Sequence, residues 1–225
     1  MIMHRFIFFD KDYSAKIITY SMGGLHHDLG DANQLSFQPL YGIDNEMERN
    51  WALEWLSNGL IQDNIQITPA VRNEMWDALC NLATSPTDHR TMTGLVALLQ
   101  DKNLRESLTR FTLSGPYGYL LDAAIDQLQI KDWQCFEMNY LMNYMPQAVV
   151  PVLTYLFHKL EQRFDGRPTM IILDEAWHFF SHPLFARQIK DWLKTLRKKN
   201  VSVLFATQSL ADLIDTPLLH TLAES

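Results

Sequence analysis

Residues 169–175 are Thr-Met-Ile-Ile-Leu-Asp-Glu, and this stretch decides the fold class. Its four apolar residues, Met170 to Leu173, run directly into the acidic pair Asp174-Glu175. A continuous apolar run of this length is typical of a strand buried on both faces, as in a parallel sheet. Two carboxylates at the end of such a strand are costly unless a cation or a reaction requires them. The stretch therefore predicts an α/β protein with a site at the carboxyl end of this strand.

The acidic pair has the form of a Walker B element. In nucleotide hydrolases the first carboxylate of this element holds Mg²⁺ and the second activates water, roles that would fall to Asp174 and Glu175. The alternative is an ordinary strand end followed by an Asp that caps a helix. No G-x-x-x-x-G-K-[ST] motif occurs in the sequence, so the loop that usually holds the phosphates has no counterpart here.

A second strand is predicted from Val201 to Ala206, and the polar pair Thr207-Gln208 follows it. If the two strands are neighbours, this pair emerges beside Asp174, at the edge where parallel α/β sheets bind ligands. A neutral amide at that edge can sense the γ-phosphate or the attacking water. An ordinary strand-to-loop transition uses the same residue types, so both interpretations stay open.

Between these strands a helix is predicted from Pro183 to Lys199, with Arg197 in its last turn. Cations at a helix C-terminus offset the helix dipole, and this structural role accounts for them without a site. The alternative is an arginine finger, in which Arg197 reaches the nucleotide of a neighbouring subunit.

The composition is that of a folded globular protein of 225 residues, 47% hydrophobic and 12% aromatic. A net charge of −7 disfavours an overall nucleic-acid coat. Cys80 and Cys135 form no C-x-x-C pair, which predicts buried thiols rather than a disulfide framework or a zinc site. The longest apolar stretch, Ala148 to Phe157, is too short to cross a bilayer, so any membrane association would come through partners.

Upstream of the acidic pair, the pattern predicts strands first and then a long helical region. Phe6 to Phe9 is a buried strand that ends in Asp10, an acid that could lie near the nucleotide. Lys16 to Tyr20 and Leu35 to Leu40 are predicted as shorter strands, with His26-His27 in a turn between them. The remaining predicted elements are helices beginning at Asp44, at Thr68-Pro69 and at Thr93, a strand from Gln134 to Met138, and a helix from Gln147 to Phe164.

Six short motifs occur in order over nearly the whole chain. They are Gly115-Pro116-Tyr117-Gly118-Tyr119, Phe136-Glu137-Met138, Tyr155-Leu156-Phe157-His158, Ile171-Ile172-Leu173-Asp174-Glu175-Ala176-Trp177, Leu196-Arg197-Lys198-Lys199-Asn200 and Ala206-Thr207-Gln208-Ser209. Together they resemble the type IV secretion and conjugation ATPase family, the CagE/TrbE/VirB component. The resemblance implies a RecA-like P-loop NTPase fold, in which residues 1–225 form an incomplete parallel sheet with a mainly helical insertion at 44–130.

By the same resemblance, the intact protein is a hexameric motor that uses ATP and Mg²⁺ to power pilus assembly and substrate transfer. It works in the cytoplasm, at the inner face of the bacterial inner membrane, which it contacts only peripherally. Its implied partners are the other inner-membrane and cytoplasmic ATPase components of the secretion system. The cargo that such a system moves is either nucleic acid or protein.

Matched residue by residue to this family, Asp174 is the Mg²⁺-coordinating acid and Glu175 the catalytic base. Gln208 matches a sensor-like glutamine, and Thr207 is placed with Asp174 in the nucleotide-binding set. Arg197 matches the arginine of the family's Arg-Lys-Lys-Asn stretch.

The chain departs from the family at both ends. The family's phosphate loop and its helix precede the strand that here is Phe6 to Phe9, and the family chain continues past Ser225. We therefore expect a truncated fragment that is inactive or nearly so by itself. The missing strand would pair with Val201 to Phe205, whose backbone groups would otherwise lack partners.

Two other functions remain open from the sequence. One is a non-catalytic assembly module that binds secretion partners through the helical region from Asp44 to Phe111. The other is a DNA translocase of the HerA/FtsK type, against which the acidic charge balance argues mildly.

Overall fold

A single parallel sheet forms the framework for the predicted site. The computed structural model describes residues 4–30, 35–175, 189, 192–193 and 195–207. The strands are β1 (Arg5–Asp10), β2 (Leu25–Asp28), β3 (Trp133–Glu137), β4 (Thr169–Leu173) and β5 (Val201–Phe205). Their order in the sheet is β2-β3-β1-β4-β5, and every strand pair is parallel. The predicted α/β class with a parallel sheet is confirmed.

Helices occupy much of the remaining described chain. They are α1 (Lys16–Ser21), α2 (Glu46–Gln62), α3 (Pro69–Ala83), α4 (Met92–Leu98), α5 (Lys102–Thr109), α6 (Gly118–Leu121), α7 (Asn139–Tyr144) and α8 (Pro146–Glu161), with 3₁₀ turns at Thr87–His89 and Arg197–Lys199. No helix in the described stretches of the chain is both long and apolar enough to cross a membrane.

The chain forms two compact units. The first contains residues 1–30, 130–144 and 157–225 and holds the sheet, while the second contains residues 31–129 and 145–156. Helices α2 to α6 all belong to the second unit. The predicted helical insertion at 44–130 remains a prediction about domain organisation.

The core of the first unit is centred on β1, which pairs with β3 on one side and β4 on the other. Phe9 is fully buried, and its ring lies 5.3 Å from that of Phe136 and 4.8 Å from that of Phe157. On the opposite face of the sheet, Phe6 and Phe8 pack against Trp133. Burial on both faces explains why this strand is a continuous apolar run.

The predicted strand at Lys16 to Tyr20 is wrong, because these residues form helix α1. Asp12 and Tyr13 both have positive φ angles (67° and 62°) and turn the chain sharply after β1. The buried Asp10 carboxylate then accepts hydrogen bonds from Ser14 Oγ and from the backbone N–H of Ala15, which holds the start of the helix. Of the helix side chains only that of Thr19 is buried, so apolar content misled the prediction.

The predicted turn at His26-His27 is also wrong. Both histidines lie in β2 and are buried, because β2 pairs with β3 along its whole length. Residues 35–40, predicted as a strand, have no regular structure; the backbone N–H of Phe37 donates to Leu120 O instead. Tertiary pairing, rather than local propensity, decides which of these short segments becomes a strand.

Helix starts in the second unit follow the predicted signals with small shifts. Thr68 accepts a hydrogen bond from Val71 N and Pro69 occupies the first helical turn, as predicted. The N-cap of α2 is Asn45 rather than Asp44, and that of α4 is Thr91 rather than Thr93. In each case the residue whose side-chain oxygen reaches a backbone N–H of the first turn forms the cap.

The later predicted elements are close to those observed. The strand predicted at 134–138 is β3, shifted by one residue, and the helix predicted at 147–164 is α8, which ends three residues earlier. The helix predicted from Pro183 to Lys199 lies mostly outside the described residues. Its end at Arg197–Lys199 is a 3₁₀ turn, closed by Asn200 in the left-handed region.

Candidate functional site

Acidic residues gather at the carboxyl edge of the sheet. Three of the strands end in an acid, and a fourth is followed by one: Asp10, Asp28, Glu137 and Asp174. Because all strands are parallel, these carboxylates lie at the same edge. This is the edge at which open α/β sheets bind their ligands.

Asp174 lies between the ends of two neighbouring strands. Its backbone N–H donates to Phe9 O at 2.9 Å, and Ala206 N donates to Leu173 O at 3.0 Å. The ends of β1 and β5 therefore flank Asp174, as predicted for neighbouring strands. Its half-buried carboxylate accepts hydrogen bonds from two backbone N–H groups, those of Glu175 (3.0 Å) and Lys11.

The electrostatic environment of Asp174 is unfavourable to its negative charge. Burial raises the pKa of the Asp174 carboxyl above its ordinary value, and the charges of Asp10 and Glu175 raise it further. The N–H groups of Glu175 and Lys11 oppose this shift. Carboxylates concentrated in this way are the oxygen donors that Mg²⁺ prefers, and a cation would offset their mutual repulsion.

This environment makes stability depend on pH. Because the folded-state pKa of Asp174 is raised, the ionised carboxylate lowers stability once the pH exceeds its unfolded pKa of about 3.9. Asp174→Asn should therefore be more stable than the wild type at pH 7, by about 0.5 kcal/mol after solvent screening. The difference should shrink as the pH is lowered towards 4, measured by urea unfolding.

The matched control for this substitution is Asp77→Asn, which makes the same change on the exposed side of helix α3. It should leave stability unchanged at both pH values. An Asp174→Asn protein that is less stable than the wild type at pH 7 would show that the carboxylate is structural.

The other predicted site residues are placed unevenly. Glu175 has a φ of 49°, in the left-handed region, which turns the chain immediately after Asp174. Thr207 follows the end of β5, at the same edge as Asp174. Gln208 lies outside the described residues. The structure thus brings three of the five predicted residues, Asp174, Glu175 and Thr207, to one edge of the sheet.

Arg197 lies at the opposite edge. It precedes the start of β5, where Thr169 N donates to Asn200 O at 3.1 Å. The five residues of β4 separate this edge from Asp174, a distance of roughly 15 Å along the strand. Within one chain, the exposed Arg197 side chain is therefore not a neighbour of Asp174.

Glu137 is a site residue whose role sequence reasoning missed. Its fully buried carboxylate accepts three backbone hydrogen bonds: from Asn139 N (2.8 Å) and Asp12 N (3.2 Å) at Oε1, and from Tyr13 N (2.7 Å) at Oε2. Burial raises the pKa of Glu137. Through these bonds Glu137 fixes the turn after β1, whose Lys11 N–H binds Asp174. The available signal was that β3, like β1, ends in an acid.

Glu137→Ala should destabilise the protein by about 2–4 kcal/mol, because it leaves buried backbone N–H groups without an acceptor. Guanidinium unfolding measures the loss. Glu106→Ala is the matched control, since Glu106 is exposed and pairs only with Lys102 one helical turn earlier, a contact worth about 0.5 kcal/mol. Equal unfolding midpoints for Glu137→Ala and the wild type would contradict the assigned role.

Comparison with known families matches residues 98–222 to the TraG P-loop domain. The chain belongs to the TraG P-loop domain family. The match covers more than half of the 225 residues and includes β3, β4 and β5. The family assignment and the acidic edge together identify this sheet as that of a P-loop NTPase.

Curated relatives of this TraG-family chain are conjugation and secretion proteins. It is 38% identical over 222 residues to a probable conjugal transfer protein TrbE of Sinorhizobium fredii, and 38% identical over 224 residues to the conjugal transfer protein TrbE of Rhizobium radiobacter. It is 28% identical over 225 residues to the type IV secretion system protein virB4 of Bartonella quintana. These alignments cover 96–97% of the chain but only 33%, 27% and 28% of the relatives.

Solved structures share the fold. VirB4 of Thermoanaerobacter pseudethanolicus matches with a TM-score of 0.69 at 19% identity, over 94% of this chain and 64% of that one. The conjugative coupling protein TrwB matches with a TM-score of 0.52 at 14% identity, over 98% of this chain and 60% of that one. The predicted resemblance to type IV secretion and conjugation proteins is confirmed.

Proposed function

We propose that this chain carries the metal-binding and water-activating side of an ATP-hydrolysing site in a type IV secretion or conjugation motor. The supporting observation is the position of Asp174 at the carboxyl edge of the sheet, next to Glu175 and between the ends of β1 and β5. Two adjacent carboxylates at this position suit a metal-assisted phosphoryl transfer to water.

Each residue has a separate task in this proposal. Asp174 holds Mg²⁺, which when bound would neutralise charge on the transferred phosphoryl group. Glu175 takes the proton of the attacking water, and the turn at its positive φ angle separates its side chain from the metal-binding carboxylate. Thr207 and Gln208 lie beside the nucleotide, where the glutamine amide senses the γ-phosphate.

Arg197 acts in a neighbouring subunit. An arginine at the opposite edge from Asp174 serves a nucleotide only across a subunit boundary, as in a ring. We therefore include a hexameric assembly, with Arg197 as its arginine finger, in the proposal. Removal of Arg197 would then affect turnover without weakening metal binding at Asp174.

The phosphates need donors that this sequence lacks in the usual motif. In the proposal, residues 1–225 are one portion of a P-loop ATPase domain with a helical insertion at 44–130, and the phosphate loop comes from polypeptide outside them. The isolated chain is therefore inactive or nearly so. The working protein acts in the cytoplasm at the inner face of the inner membrane, with other secretion components as partners and DNA or protein as cargo.

A chimera with a relative tests this proposal. The chain replaces the matching region of TrbE from Rhizobium radiobacter, with which it aligns over 224 residues. ATP hydrolysis by the chimera is compared with that of the unaltered TrbE and of the isolated chain. Turnover in the chimera but not in the isolated chain supports the proposal, and turnover in the isolated chain refutes the shared site.

A further inference from the structure

Three chemically different side chains meet on one face of the sheet, away from Asp174. His26 on β2 and Phe8 on β1 are both register partners of Cys135 on β3. Asp10 follows Phe8 by two residues and so faces the same side. One ligand atom each from Asp10, His26 and Cys135 lies within 4.8 Å of the other two.

This cluster is shielded from solvent and incompletely satisfied. Asp10 is 2% exposed, His26 9% and Cys135 0%. The Nε2 atom of His26 is buried and has no hydrogen-bond partner among the described residues. A buried imidazole nitrogen without a partner costs free energy, and such an exception in a native fold calls for an explanation. A bound cation would supply the missing partner.

The surrounding hydrogen bonds orient the cluster. The Asp10 carboxylate accepts from Ser14 Oγ at one oxygen and from Ala15 N, at 2.8 Å, at the other. A carboxylate oxygen has more than one acceptor site, so both oxygens can still bind a metal. The Thr19 side chain is hydrogen-bonded to Cys135. Partners of this kind fix the orientation of metal ligands in known sites.

The donor set selects the metal. One sulfur, one imidazole nitrogen and one carboxylate oxygen suit zinc, whereas Mg²⁺ prefers oxygen donors alone. Zinc bonds of about 2.0–2.3 Å would place the ligand atoms roughly 3.5 Å apart, so the side chains must close by on the order of 1 Å. Binding also displaces the thiol proton of Cys135 to solvent.

We propose that Asp10, His26 and Cys135 bind one zinc ion that ties β1, β2 and β3 together, with water as the fourth ligand. The site is separate from the Mg²⁺ site proposed at Asp174. It also corrects the expectation from cysteine spacing that a zinc site is absent, because its ligands come from three strands and not from a local motif. Loss of ATP hydrolysis would not affect this proposal.

Cobalt titration of the whole 225-residue chain, freed of metal with a chelator, tests the site. We expect one Co²⁺ per chain with the absorption of a thiolate–cobalt bond, and Zn²⁺ should displace it while a hundredfold excess of Mg²⁺ should not. Added Zn²⁺ should also raise the unfolding temperature. Absence of the thiolate band, or displacement by Mg²⁺, overturns the proposal.

Substitutions locate the metal. Cys135→Ala should abolish the thiolate band, and His26→Gln should weaken Co²⁺ binding at least about tenfold. Cys80→Ala, which removes the half-buried thiol of the second unit, should leave binding unchanged. Loss of the band in Cys80→Ala but not in Cys135→Ala overturns the assignment.

X-ray absorption of the zinc-loaded wild type gives a test without substitutions, in case Cys135→Ala does not fold. We expect one sulfur in the coordination shell, with nitrogen and oxygen as the other ligands. A shell without sulfur overturns the proposal.

Discussion

Glu175→Gln in the TrbE chimera is expected to lower the turnover number for ATP by at least about 100-fold, because a general base contributes about 10²–10⁴ to the rate. Glutamine keeps the size of the side chain and tolerates the same turn, but it cannot take a proton from water. Nucleotide and metal binding should change little, since Asp174 is untouched. Steady-state hydrolysis and nucleotide titration measure the two effects separately.

The control for this experiment is Glu106→Gln in the same chimera. Glu106 is an exposed residue on helix α5, so the same chemical change there should leave turnover unchanged. If Glu175→Gln and Glu106→Gln hydrolyse ATP at the same rate, Glu175 is not the base. A parallel loss of nucleotide binding in Glu175→Gln would instead point to a binding role.

Phe9→Ala is expected to cost about 3–5 kcal/mol, the range for removing a large buried aromatic side chain. Phe9 is fully buried on the central strand, between the rings of Phe136 and Phe157. A loss of this size is a large fraction of the roughly 5–15 kcal/mol that stabilises a typical domain. The unfolding temperature should fall by roughly 6–20 °C, measured by calorimetry.

Phe8→Ala provides the comparison for this effect. Phe8 lies on the opposite face of the same strand, is only half-buried and contacts Trp133 at 5.7 Å. It should cost less than half as much as Phe9→Ala. Because Phe9 O also accepts the backbone N–H of Asp174, disorder in β1 would displace the acidic edge as well. Equal losses for the two substitutions would contradict the position of the core.

The strands that position the candidate site were predictable from sequence. Apolar runs ending in Asp10 and before Asp174 stand out because both faces of these strands are covered. The same reasoning anticipated that the end of β5 would lie next to Asp174, since parallel neighbours share an edge. The Thr68-Pro69 helix start was equally clear, because its cap is a local interaction.

The loop after β1 was not predictable. Its path depends on positive φ angles at Asp12 and Tyr13, neither of which is glycine, and on the distant Glu137 carboxylate that holds both N–H groups. Strand β2 was missed for a related reason. His26 and His27 have no strong strand preference, and only pairing with β3 places them in the sheet. Long-range partners of this kind leave no pattern in a single sequence.

The central claim is that Asp174 and Glu175 exist to manage a metal-bound triphosphate rather than to end a strand. The most direct measurement is ATP hydrolysis by the chimera with both residues changed, Asp174→Asn with Glu175→Gln, alongside Asp77→Asn with Glu106→Gln. We predict no turnover above background for the first pair and unchanged turnover for the second. Hydrolysis at the same rate in both proteins would contradict the claim.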